Sequence, residues 1–178
     1  LRRATSSRTR VILVNTPHNP TGAVLDRAEL QAIADAAMRS DAVVVTDEVY
    51  EHLLFGDAVH TPIATLPGMR ERTLTISSSG KTFSLTGWKI GWISGPSKLI
   101  DSVISIKQFL TFVNGAPFQP AIAEALTTRG DSDISELRDS LDVRKNFLID
   151  GLQKAGFTSV RPEGTYFVCA DATPFLSE

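Results

Sequence analysis

Four short runs of β-branched and aromatic residues, at 10–15, 41–46, 72–77 and 91–94, constrain this chain more than anything else in it. They read as strands buried on both faces, because β-branched or apolar residues fill half or more of their positions. Strands of that kind belong to a parallel or mixed sheet covered by helices. Between the first two runs, Leu30, Ile33, Ala34, Ala37 and Met38 recur at helical spacing across 26–40, and Asp26 stands as an N-cap three residues before Glu29. The unit is βαβ, and the fold class is α/β.

Further along, 97–113 keeps a helical period until Asn114-Gly115-Ala116-Pro117 breaks it. A second helix is expected over 118–129, stopped by Gly130. A third is expected to run to Ala155, capped by Ser132 or Asp133, with Leu137, Leu141, Phe147, Leu148 and Leu152 turned inward and Gly156 at C′. Residues 159–161 and 165–170 read as strands of a new unit.

Composition excludes several functions. With 178 residues, 42% of them hydrophobic, the chain can bury a sizeable core. A formal net charge of -2 with scattered basic residues gives no footprint for nucleic acid, and the basic stretch 1–10 reads as solvated surface. No apolar run is long enough to span a bilayer and no signal-peptide pattern is present, so the expected location is cytoplasmic. The single cysteine, Cys169, has no internal partner, which points to a reducing compartment. Its apolar neighbours predict a buried structural thiol. His18, His52 and His60 lack a metal-ligand spacing, so no metal site is expected. Trp88 and Trp92 are expected in the core.

Three polar clusters each follow an apolar run: Asn15-Thr16-Pro17-His18-Asn19-Pro20-Thr21-Gly22, Thr46-Asp47-Glu48-Val49-Tyr50, and Ser77-Ser78-Ser79-Gly80-Lys81-Thr82. In open α/β sheets, ligands bind beyond the carboxyl ends of the strands, where such clusters converge. A lysine there is a candidate nucleophile, since a primary amine forms an imine with a carbonyl. Asp47 and Glu48 are neighbours on a strand and point to opposite faces, so they do not form a hydrolytic carboxylate pair. Gly80-Lys81-Thr82 lacks the first glycine of a nucleotide-binding loop, because Thr75 occupies that position.

Taken in this order, the clusters resemble the fold-type I, pyridoxal phosphate (PLP) dependent aminotransferases of class I/II. The resemblance implies a large PLP-binding domain, with 1–140 as part of it, and a long-helix linker and the start of a small α+β domain over 141–178. It implies that Lys81 carries the Schiff base, that Asp47 pairs with the pyridine nitrogen and that Asn19 and Tyr50 touch the ring oxygen. Ser78 and Lys89 would hold the phosphate. Lys89 stands where many relatives have arginine, which keeps the charge and loses the bidentate fork. The wording Thr86-Gly87-Trp88-Lys89-Ile90-Gly91-Trp92 looks most like the branch of kynurenine, methionine and N-succinyldiaminopimelate aminotransferases.

The implied reaction moves an amino group from an amino-acid donor to a 2-oxo acid, such as 2-oxoglutarate, in a homodimer. N-succinyldiaminopimelate is the first choice of donor. The stretch 109–119 contains no Arg or Lys, which counts against aspartate. A PLP-dependent carbon-sulfur lyase and a PLP-sensing domain of a transcription regulator share the same visible residues. By the same resemblance the chain covers the middle of the family's fold. The glycine-rich phosphate loop and ring-stacking aromatic are expected before Leu1, and the arginine for the substrate carboxylate after Glu178. Gly164-Thr165-Tyr166-Phe167 resembles the strand that opens the small domain.

Overall fold

A computed structural model of the chain describes residues 3–128 and 131–176. Strands β1 (Val11–Asn15), β2 (Val43–Asp47), β3 (Thr73–Ser78) and β4 (Gly91–Ser94) form one sheet in that spatial order. The first three are parallel, and β4 joins β3 antiparallel. Asn15 lies opposite Asp47, and Asp47 opposite Ile76, so the three parallel strands finish at one edge of the sheet.

The helix α1 (Arg27–Ser40) connects β1 to β2 as its period predicts. It begins in a reciprocal cap: the Asp26 carboxylate accepts from the Glu29 backbone at 2.8 Å, and the Asp26 N–H donates to the Glu29 carboxylate at 2.9 Å. Leu30, Ala34 and Ala37 then face the sheet, packing with Val14, Val44, Ile63, Leu66 and Met69 into the core. Each large side chain buried there contributes about 1.5–3 kcal/mol. The opposite face of β1 is different. Leu13 is 75% exposed against 6% for Val14, so the expected burial on both faces does not hold for this strand, where only one face meets a helix.

A single turn, α2 (Ser79–Thr82), follows β3 directly. Then come α3 (Ser97–Leu110), α4 (Phe118–Thr128) and α5 (Asp131–Lys154). The helix α5 begins at Asp131, so Ser132 and Asp133 lie inside it and not before it, while Arg129 and Gly130, the expected end of α4, fall outside the described residues. Phe147 is 81% exposed and Ile149 is buried in its place. Two residues advance a helix by about 200°, so the two side chains cannot share a face. Gly156 ends the segment with φ +88°, a backbone conformation that favours glycine.

The last segment contains less strand than its residues predict. Among the described residues β5 (Thr158–Ser159) and β6 (Ala170–Asp171) pair antiparallel, and Gly164 forms a single antiparallel bridge with Leu54. Between β5 and β6 the chain returns to the large sheet. Both Glu163 and Gly164 donate backbone N–H groups to the Gly22 carbonyl at 2.9 Å, and Thr165 donates to Leu53 at 2.9 Å. A Cβ on Gly22 would stand 2.2 Å from the Pro162 Cβ, and φ there is +72°, so the close approach depends on glycine. Trp88 and Trp92 are half-buried and not in the core, with Trp88 stacked on Phe118 at 4.6 Å. Cys169 is likewise half-buried, its thiol 3.3 Å from the Pro20 carbonyl. Among the described residues no helix is long and apolar enough to cross a membrane.

Candidate active site

The predicted site residues gather at the carboxyl edge of the sheet in two groups. The first is built on the ends of β1 and β2. Asn15 closes β1, and its side-chain amide donates to the Asp47 carbonyl at 3.0 Å while its oxygen accepts from the Asn19 backbone at 2.8 Å. The turn carrying Asn19 is thereby fixed to the strand end carrying Asp47. Asp47 then caps its own turn, accepting from the Val49 N–H at 3.3 Å. That turn delivers Tyr50, which is 2% exposed. Burial pushes the Tyr50 phenol above its ordinary value, Tyr166 and the Asp47 charge push the same way, and Asn19 pulls back.

The second group is built on β3 and the turn after it. Ser78, Gly80, Lys81, Thr86, Lys89 and Gly91 line a pocket of about 290 Å³. Lys89 adopts a left-handed backbone, φ +57°, and its carbonyl accepts from the Asn114 side chain. A serine hydroxyl and two ammonium groups around a small cavity suit a phosphate. Lys81 joins the two groups. Its Nζ stands 5.3 Å from the centre of the Tyr50 ring.

Two residues that the sequence reading left without a role belong here. Asn15 is the clamp just described. Tyr166 comes from the carboxyl-terminal segment, and its hydroxyl is hydrogen-bonded to Lys81 Nζ. Its ring lies edge-on to Tyr50 at 5.3 Å. The polar end of an apolar run could have pointed to Asn15. For Tyr166 the partner is 85 residues away, a separation no local pattern spans.

Glu48 is the first residue beyond β2, so the expected strand pairing with Asp47 does not apply to it. Its carboxylate is fully buried, accepts from the Thr46 hydroxyl at 3.1 Å and pairs with His60 Nε2 at 2.8 Å. Glu51 completes the group by accepting from the Ser77 hydroxyl at 2.6 Å. Glu48, Glu51 and His60 thus lie within 4.8 Å of one another, a cluster that their spacing in sequence does not reveal.

Several known proteins are similar to this chain. The probable N-succinyldiaminopimelate aminotransferase DapC of Mycobacterium tuberculosis is 55% identical over 174 residues, 98% of this chain and 44% of that protein. Human kynurenine–oxoglutarate transaminase 3 is 41% identical over 97% of this chain and 40% of its own length. Among solved structures, N-succinyldiaminopimelate aminotransferase from Mycobacterium tuberculosis superposes with a TM-score of 0.94 at 54% identity, covering 97% of this chain and 45% of that one. Aspartate aminotransferase from Thermus thermophilus with maleate gives 0.91 at 36% identity, covering 98% and 46%. The chain therefore spans somewhat under half the length of the curated relatives it matches. The family described as aminotransferase class I and II matches residues 1–175, and with the solved structures agreeing in fold the chain belongs to the class I and II aminotransferases.

Proposed function

We propose that the protein is a PLP-dependent transaminase that moves an amino group between an amino acid and a 2-oxo acid. The observation that carries this reading is the placement of Lys81: one turn beyond a strand end, beside a buried tyrosine, on the rim of a cationic pocket. The donor set fits PLP. Ser78 and Lys89 offer a hydroxyl and a positive charge to a phosphate, and Gly80 and Gly91 add no side chain of their own to that pocket. Asp47 offers a carboxylate to a ring nitrogen, and Asn19 and Tyr50 offer hydrogen bonds to a ring oxygen.

When bound, PLP supplies an aldehyde that condenses with primary amines and a protonated ring that withdraws electrons. The chain's own residues would do the rest. The Lys81 amine is the nucleophile and, once free, takes and returns a proton at Nζ. Asp47 keeps the proton on the ring nitrogen by its opposite charge. Tyr50 offers its phenol O–H as a hydrogen-bond donor.

The same reading assigns 1–140 to part of the large domain and 141–178 to the linker helix and start of the small one. It includes a homodimer, supported by the exposed apolar run of Phe109, Leu110 and Phe112, at 83%, 76% and 80%. N-succinyldiaminopimelate with 2-oxoglutarate is the first substrate pair, supported by the relative at 55% identity.

Borohydride treatment of the full-length protein with PLP tests the site. Mass spectrometry should find the reduced cofactor on Lys81, and Lys81→Ala should lose both the label and turnover. A label on another lysine, or turnover retained by Lys81→Ala, overturns the reading. A screen of amino donors against 2-oxoglutarate then fixes the substrate.

A further inference from the structure

We propose that Tyr166 is a further catalytic residue, whose hydroxyl holds the Lys81 amine in its reactive position through a direct hydrogen bond. The inference rests on the reading of Lys81 as nucleophile and adds a residue to it. A lysine amine sits on a four-carbon stem, and when it is not covalently engaged the stem is free to wander. Here two contacts oppose that. The Tyr166 hydroxyl bonds Nζ, and Nζ stands 5.3 Å from the Tyr50 ring centre, within range of cation–π attraction. A phenol suits both forms of the amine, since its oxygen accepts a hydrogen from the ammonium and its O–H donates to the lone pair of the neutral amine.

Tyr166 is held in place from several directions. The preceding residues hydrogen-bond to Gly22 and Leu53, at the two turns that carry Asn19 and Tyr50. Thr165 is fully buried with φ +70°, and its hydroxyl accepts from the Phe167 N–H at 3.2 Å. The ring also packs on Phe167 at 4.7 Å. The segment that opens the carboxyl-terminal part of the chain is thereby registered on the candidate cofactor site, and Tyr166 is the side chain it delivers to the nucleophile.

The electrostatics agree with the geometry. Burial pushes the Tyr166 phenol up, but the hydrogen bonds with Lys81 and Tyr50 and the charge on Lys81 outweigh it and hold the phenol below its ordinary value. The charged groups facing it are Lys81 from α2 and, across the cavity on its other side, Arg144 and Lys145 from α5. Tyr50 is its titratable neighbour.

The test uses the full-length protein, stripped of cofactor and mixed rapidly with PLP. Tyr166→Phe keeps the ring and removes only the hydroxyl, so thermal unfolding should be unchanged. Covalent capture of PLP, followed by visible absorbance and mapped by borohydride reduction, should slow about tenfold or more, with the same final labelling of Lys81. An ultraviolet difference titration, wild type minus Tyr166→Phe, should show a tyrosine ionising below the usual value of about 10, and Lys81→Met should move it back up. Capture at the wild-type rate together with ordinary titration of Tyr166 overturns this inference alone. A wild-type label on a lysine other than Lys81 overturns the functional reading as well.

Discussion

The side chain of Asn15 bridges two backbone segments, donating to the Asp47 carbonyl at 3.0 Å and accepting from the Asn19 N–H at 2.8 Å. It therefore sets the spacing between two groups proposed to meet different atoms of the cofactor ring. Replacing it by leucine removes both bonds, but the Asp47 carbonyl keeps the Thr16 N–H and the Asn19 N–H is exposed to water, so the cost is about 0.5–1.5 kcal/mol. Asn15→Leu should lower the denaturation midpoint accordingly and also weaken PLP retention, measured by equilibrium dialysis. Loss of stability with unchanged retention would mean that the clamp serves the fold alone.

Asp47 has two tasks, capping its turn at Val49 and meeting the ring nitrogen. Asp47→Asn separates them, because the amide oxygen can still accept from the Val49 N–H while the negative charge is gone. Stability should change by less than about 1 kcal/mol, and the single-turnover rate with amino donor should fall by orders of magnitude. Stopped-flow absorbance with excess donor is the measurement. A wild-type rate in this variant removes Asp47 from the chemistry.

The fold was legible wherever the signal was local. The Asp26 cap, the helical stripe from Leu30 to Ala37 and the three polar clusters follow from spacing and from the rule that strand ends carry sites. Lys81, Ser78 and Lys89 lie within a dozen residues of one another, so sequence alone could group them around one pocket. Burial along α5 was not legible: the apolar residues there are spread around the helix, and only packing selects Ile149 over Phe147. The same applies to the exposed face of β1, whose residues have strand character whatever covers them. Tyr166 and the Glu48–His60 pair depend on contacts between separate turns, where periodicity carries no information.

Glu48 and His60 fasten the turn after β2 from behind. The carboxylate is fully buried and bonds only Thr46 and His60 among the described residues. His60→Ala leaves it with one hydroxyl partner, and breaking a buried pair from one side costs about 3–5 kcal/mol. Chemical denaturation should show a loss of that size, and His60→Gln, which can still donate to the carboxylate, should restore part of it. The double variant Glu48→Gln with His60→Ala should lose less than His60→Ala alone, because the stranded charge is gone. If the double variant is the less stable, the pair does not act through charge burial.

Tyr50 gives the site a signature in alkali. Its phenol is pushed up mainly by burial, with Tyr166 and the Asp47 charge adding to the shift. The folded state therefore holds this proton more tightly than the unfolded chain does. By linkage its contribution to stability is complete below the ordinary tyrosine value of about 10 and declines as pH rises beyond it, because unfolding then releases the proton. Tyr166 has the opposite sign, since its phenol is held low; its contribution grows as pH rises toward that same value and is constant above it. In Tyr166→Phe the decline above pH of about 10 should remain. In Tyr50→Phe that part of the decline should vanish, leaving a flatter stability curve in urea titrations run across the alkaline range. Equal slopes in wild type and Tyr50→Phe would show that the Tyr50 proton is held no more tightly in the folded protein than in the unfolded chain.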